Sequence, residues 1–318
     1  MPTAAEIRDQ TSSELARRTR LGVPSLAGGV LYLLGTIILA STSSNAPKVG
    51  LLQGLAPALS GVANPPVSPR AAEVKYISHH AFGVIAGSVL TAMALGALTL
   101  VLLLLLDATR FRRPQTFPAA RPLLLYGGVV LTIVTVAHQV VGAIEAHNFA
   151  VGHDLSNHAV DRVTTNATAI VALGSLGLIA WVALAAGMIA TMINGLRVGL
   201  LPRWLSILGM FTAMLIFLPL GATLELIPAF WMVATGILLA GRWPNGDPPA
   251  WAAGEARPWP TPAERRAERE EDPATRGRRG GQPRTAQPAV SGAGTDLASA
   301  PPPGVSAGKR RRKRGRRG

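Results

Sequence analysis

The sequence predicts an all-α bundle of transmembrane helices, about six in number, and three observations carry that prediction. The chain has 318 residues, of which 48% are hydrophobic and only 15% charged, whereas soluble domains average about 25% charged residues. Its apolar residues gather into runs long enough to cross about 30 Å of hydrocarbon, which takes roughly 20 helical residues. Its Lys and Arg residues collect beside alternate ends of those runs, as the positive-inside bias requires.

The first run, Leu21–Ala40, holds no charge. Its basic lead-in of Arg17, Arg18 and Arg20 resembles a signal peptide, but its apolar core exceeds the roughly 7–15 residues of a signal core, so the segment is expected to be retained. The second spans 81–106 and includes the unbroken aliphatic stretch Val101–Leu106. The third and fourth cover 122–143 and 167–193. The stretch Trp204–Ala240 is too long for one crossing, and Leu218-Pro219-Leu220-Gly221 breaks it into two, 204–220 and 222–240. One tilted span is the alternative there. The organisation is thus a leading segment over 1–20, a bundle over 21–240 and a tail over 241–318.

With the amino terminus inside, the inner segments carry Arg8, Arg17, Arg18 and Arg20, then Arg110, Arg112, Arg113 and Arg121, then Arg197 and Arg203. The longer outer loops, 41–80 and 144–166, hold only Lys48, Arg70, Lys75 and Arg162. Both termini are therefore expected in the cytoplasm. Asp107 and the Arg110–Arg113 cluster read as topology determinants, and Trp204 and Trp243 as interfacial aromatics.

Gly83 and Gly87, extended by Ala92 and Gly96, put small residues on one face of the second span, and Ala183 and Gly187 do so on the fourth. Such faces let backbones approach. They serve packing within the bundle or a homo-oligomer through Gly83 and Gly87.

Outside the spans, Leu51, Leu52, Leu55, Leu59 and Val62 recur at helical spacing, so the larger outer loop holds either an interfacial amphipathic helix or an irregular segment with apolar anchors. The tail carries 17 of the 31 basic residues and 8 of the 17 acidic ones, hence +9 of the formal +14. It is rich in Pro, Gly, Ala and Arg and is expected to be disordered, apart from a short charged helix over 261–272. The tail ends in Lys309, Arg310, Arg311, Arg312, Lys313, Arg314, Arg316 and Arg317. This cluster suits anionic inner-leaflet lipid or topology alone. Nucleic acid is disfavoured because no aromatic interleaves the basic residues.

One group of residues points to chemistry. All six histidines fall on the expected outer side. His79 and His80 open the second span, and His138 lies in the outer half of the third beside Gln139, with Glu145 further along the same face. His147, His153 and His158 follow with Asp154 and Asp161, and Glu225 sits near the outer end of the last span. Were 154–161 helical, Asp154, His158 and Asp161 would share a face. Ionisable groups within spans are candidates for a proton or ion path, here His138, Glu145 and Glu225. The loop histidines and aspartates suit a zinc or copper ion, and His80 with His138 could bracket a haem. Against this, loop histidines are ordinarily solvated, and no established metal spacing is present. No cofactor is implied.

Cysteine is absent, which removes disulfides and thiolate chemistry. Neither a phosphate-cradling loop nor a nucleophile elbow is found. The leading expectation is a non-enzymatic structural or interaction bundle, with a small-solute or proton-coupled transporter next and an outer-face metal or haem protein third.

The stretch Gly199-Leu200-Leu201-Pro202-Arg203-Trp204-Leu205-Ser206-Ile207-Leu208-Gly209 resembles the start of the closing helical hairpin in an uncharacterised family of bacterial multi-pass membrane proteins. Leu26-Ala27-Gly28-Gly29-Val30-Leu31-Tyr32-Leu33-Leu34 is similar to that family's first span. The resemblance implies a bundle in a bacterial plasma membrane and transfers no functional residue.

Overall fold

A computed structural model describes residues 4–50, 67–217, 226–244 and 246–260, with isolated positions in 52–61 and 263–267. Met1–Pro260 form one compact unit, and Thr261–Gly318 a second of which only those scattered positions are described. All named elements are helical: α1 (Ala4–Asn45), α2 (Ala71–His79), α3 (Ala81–Arg112), α4 (Ala120–Val151), α5 (Asn157–Asp161), α6 (Thr168–Val198), α7 (Arg203–Phe217), α8 (Leu226–Leu239) and α9 (Pro249–Ala253). A π-helical turn, Arg162–Asn166, joins α5 to α6. The described residues hold one isolated parallel bridge, Val67 to Leu155, and no strand.

Four helical stretches are long and apolar enough to cross a membrane: Asp9–Asn45, Ala81–Arg112, Ala120–Val151 and Asn157–Val198. Arg203–Leu215 and Leu226–Leu239 are shorter apolar helices. The breaker expected at Leu218–Gly221 and the candidate Glu225 lie outside the described residues, as do most of the expected helices over 51–62 and 261–272.

Local sequence sets the helix ends. α3 stops one residue before Pro114, since the residue preceding proline is pushed out of the α region. α6 ends in a Schellman turn: Gly199 adopts φ +83°, and the N–H of Leu200 donates to the Gly195 carbonyl at 3.0 Å. α8 ends the same way at Gly241, φ +70°, with the Arg242 N–H bonding the Ile237 carbonyl.

Close approaches fix the packing register. α1 runs antiparallel to α3, meeting it at Glu14–Arg112, Gly28–Ala97, Gly35–Thr91 and Thr42–Gly83. A Cβ on Gly35 would come within 2.7 Å of the Gly87 carbonyl oxygen, so this crossing tolerates only glycine there. Gly87 therefore faces α1, whereas Gly96, further along the small-residue stripe, has open space around it. Gly187 receives Leu124 of α4. α1 also runs antiparallel to α8, where Ser25 donates to the Met232 carbonyl at 2.8 Å. The first and last apolar helices thus pack together. α4 pairs with α6 at Gly127–Leu184, α6 with α7 at Met192–Gly209, and Trp231 of α8 donates to the Leu205 carbonyl of α7 at 3.0 Å.

This arrangement gives the bundle two unlike ends. One, the arginine end, gathers the start of α1, the ends of α3 and α6, and the start of α7. The main core lies towards it: Leu95, Leu98, Val101, Leu102, Leu104–Leu106, Met188, Met192, Trp231 and Trp251. The run Val101–Leu106 is thus interior surface, with α3 as the central helix. The histidine end carries a smaller second core of Ala71, Val74, Ala146, Phe149, Ala159 and Val160, where α2 and α5 fold onto the end of α4. A girdle of exposed apolar side chains rings the long helices, including Val30, Leu34, Ile37, Met93, Leu100, Val129, Ile133, Leu178 and Val182.

One expectation is corrected. Residues 246–260, expected within a disordered tail, are ordered. Trp251 and Ala250 are buried, supplying the apolar anchor that a tail-wide average of composition conceals. Arg112, in the cluster read as topology determinants, has in addition a structural place, for its side chain is 0% exposed and paired to Glu14.

Candidate functional site

At the arginine end, the chain from Asp247 to Trp259 forms a strap across the mouth of the bundle. Helix termini leave carbonyls without partners, and the strap satisfies those around the end of α6. The Arg257 N–H donates to the Val198 carbonyl at 2.9 Å, the Trp251 indole to Leu200 at 3.0 Å and the Trp259 indole to Leu201 at 3.0 Å. A Cβ on Gly199 would collide with the Arg257 carbonyl, so this glycine serves both the left-handed turn and the strap.

Beneath the strap, the Trp251 ring meets two guanidinium groups, Arg18 at 5.1 Å and Arg112 at 5.6 Å from its centroid. Arg18 forms a bidentate pair with Asp247 and donates to the Leu238 carbonyl. Arg112 donates to Glu14 at 2.7 Å, to the Ala250 carbonyl at 2.9 Å and to the Ala108 carbonyl at 2.9 Å. Two guanidinium nitrogens, Arg18 Nε and Arg112 Nη2, are buried without a hydrogen-bond partner among the described residues. The ring's electron-rich face compensates part of that cost. Two cations and two carboxylates balance here, so the cluster is a structural clasp. Trp204 stacks on Trp243 nearby, at 5.5 Å between ring centroids.

The histidine half holds empty space instead. A cavity of about 550 Å³ is lined by Tyr32, Thr36 and Leu39 of α1, Thr91 and Leu95 of α3, Thr135 and Gln139 of α4, and Trp181 of α6, with Glu73 and Ile77 of α2. A second, of about 360 Å³, lies between α4 and α6 and shares Thr135, Gln139 and Trp181 with the first. His138, Gly174, Gly177 and Leu178 complete its wall. The threonine hydroxyls are spent on their own helices: Thr36 donates to Leu33, Thr91 to Gly87 and Thr135 to Leu131. The Gln139 amide, the Trp181 indole and the His138 ring make no hydrogen bond among the described residues. The lining of both cavities is therefore mostly apolar, with a few unspent polar groups gathered at the wall they share. That is the ordinary composition of a small-molecule site.

The other sequence candidates are dispersed. Glu145 is half-buried on α4 and lines neither cavity. His147 is exposed on the same helix, which runs to Val151. His79 and His80 are exposed at the α2–α3 junction, where His80 stacks on Tyr76 and its Nδ1 bonds the Tyr76 carbonyl at 2.9 Å. His80 lines neither cavity, so it is not brought together with His138 at a haem-like site. His153 is exposed. Helix α5 begins only at Asn157, capped by Ser156, so Asp154 does not share a helical face with His158 and Asp161. Asp161 pairs with Arg70 at 3.5 Å, and His158 accepts from Arg162 at 3.0 Å. Asp154 has its carboxyl held below the ordinary range by hydrogen bonds from Ser156. Among the described residues, no three His, Asp or Glu side chains converge as a metal site would require.

Trp181 was the visible signal for the cavity that sequence reading passed over: a tryptophan mid-span, away from the interfaces where it is usually found. No family model, curated protein or solved structure matches the chain.

Proposed function

We propose that this chain is a non-enzymatic, multi-pass integral membrane protein with six crossings and both termini in the cytoplasm of a bacterial cell. Four crossings are the long helices, and α7 and α8 form a closing hairpin. The girdle of apolar side chains on the long helices carries this reading, because lipid is the solvent in which such a surface is stable. The bundle serves as a structural or interaction scaffold. The basic residues 309–318 hold the tail on anionic inner-leaflet lipid, at about 1 kcal/mol per basic residue near the surface.

The chain lacks cysteine, so single cysteines introduced at Ser60, Asn157 and Ser291 are labelled without background. An impermeant maleimide added to intact cells should modify positions 60 and 157 and spare 291. The reverse pattern overturns the topology. Tail binding to anionic vesicles should weaken when 309–318 are removed, and equal binding refutes that role.

The paired cavities favour a second reading, passage or storage of a small solute beside His138. His138→Ala should then abolish uptake in vesicles at normal expression, and unchanged uptake removes the idea.

A further inference from the structure

We infer that the paired cavities form one site, loaded sideways from the bilayer between α4 and α6, for a neutral lipid with a carbonyl head, such as an alkyl-chain quinone. This rests on the membrane reading above.

Three observations lead to it. The first is the route. The smaller cavity lies between α4 and α6, with exposed Leu178 on its rim, and adjoins the larger at the shared wall of Thr135, Gln139 and Trp181. Gly174 on its wall has open space around it, so that a Cβ there would meet nothing within 4 Å. A molecule dissolved in the acyl chains reaches this groove without crossing an aqueous face.

The second is the chemistry of the head group. The Trp181 indole offers an N–H donor only, and the Gln139 amide offers two more. Neither makes a hydrogen bond among the described residues. Donors without acceptors select an acceptor oxygen, and a carbonyl supplies one. The ring of His138 stands beside them to take a second oxygen or a hydroxyl. The third is charge. Glu73, the one formal charge on the lining, is already paired with Arg70 at 3.8 Å. No unpaired charge awaits an ionic head, so the ligand is neutral. Its chain packs against Leu39, Val84, Leu95, Leu131 and Val134.

The test uses the full chain in mild detergent, with decyl-benzoquinone as a quencher of tryptophan fluorescence. The site predicts a saturable component of quenching that vanishes in Trp181→Phe, although five other tryptophans remain of the six. A Cβ at Gly174 meets nothing within 4 Å, so Gly174→Leu extends a side chain into the groove, and quinone binding should weaken about tenfold or more while thermal stability does not fall. Gln139→Leu should weaken it about fivefold, the loss expected for one hydrogen bond. A fatty-acid methyl ester should displace the quinone and the matching hydrocarbon should not. The ester arm separates a carbonyl site from one specific to the quinone ring.

Quenching that rises linearly with quinone in the micelle, alike in the natural chain and Gly174→Leu, overturns the proposal. So does equal displacement by the hydrocarbon, and so does failure of the ester to compete. Failure of the membrane reading has a separate signature, recovery of the chain in the aqueous fraction before any detergent is added.

Discussion

The two ends of this bundle solve opposite problems with the same helices. At the arginine end the main apolar core is closely packed and two arginines are paired with carboxylates, with Trp251 wedged between Arg18 and Arg112. At the histidine end the same α1, α3, α4 and α6 line two adjoining cavities. The difference teaches where stability and where ligand chemistry reside. Tight packing and buried pairs leave no room for a guest, whereas unspent donors beside empty volume store the capacity to bind one.

The comparison is broken most forcefully by removing one member of a buried pair. Arg112→Ala leaves the Glu14 carboxylate, 6% exposed, without its cation, and should destabilise the fold by about 3–5 kcal/mol. Thermal unfolding in detergent measures this, and the double substitution with Glu14→Gln should recover part of the loss. A smaller effect follows at the ring. Trp251→Phe keeps the apolar bulk but loses the indole bond to Leu200 and weakens both cation–π contacts, costing about 1–2 kcal/mol in the same assay.

The opposite end should respond little. Trp181→Phe and Gly174→Leu alter groups that border empty space, so each should lower stability by no more than about 0.5 kcal/mol. A loss comparable to that of Arg112→Ala would show that the voids are filled by packing and erase the contrast between the ends.

The smallest effect concerns the loop before α5. Asp154 is held below its ordinary value of 3.8 by hydrogen bonds from the Ser156 side chain and backbone, aided by Arg162 and His158 and opposed by desolvation. A depressed folded value means that its contribution is complete above the unfolded value and disappears as pH falls through the folded one. Nuclear magnetic resonance should place the Asp154 midpoint below 3.8, and Ser156→Ala should move it upward.

Much of the architecture was legible in the sequence because lipid imposes a simple rule on chain segments. The runs that became α1, α3, α4 and α6 were found from length and apolarity alone, and the glycine at 87 marked a real close approach. What escaped was non-local. Arg18 and Asp247 are 229 residues apart, and Arg112 and Glu14 are 98 apart, so no local spacing announces either pair. The strap escaped because Trp251 and Trp259 are isolated anchors in a proline-rich stretch. The helix α2 was hidden in what read as an outer loop. Of the candidate site residues, His138 was singled out for its position inside a span, and it lines the smaller cavity. Gln139, its neighbour, matters because its amide is unspent, and that can be seen only once every other polar group has been paired.

The most direct measurement of the two-ended account is thiol reactivity at one position in each half. Cysteines are placed singly at Thr135, in the cavity wall, and at Ser206, fully buried near the strap. A small membrane-permeant thiol reagent should modify position 135 readily and leave position 206 untouched until the protein is unfolded. Equal reactivity at the two sites, or protection of 135 with labelling of 206, would contradict the account.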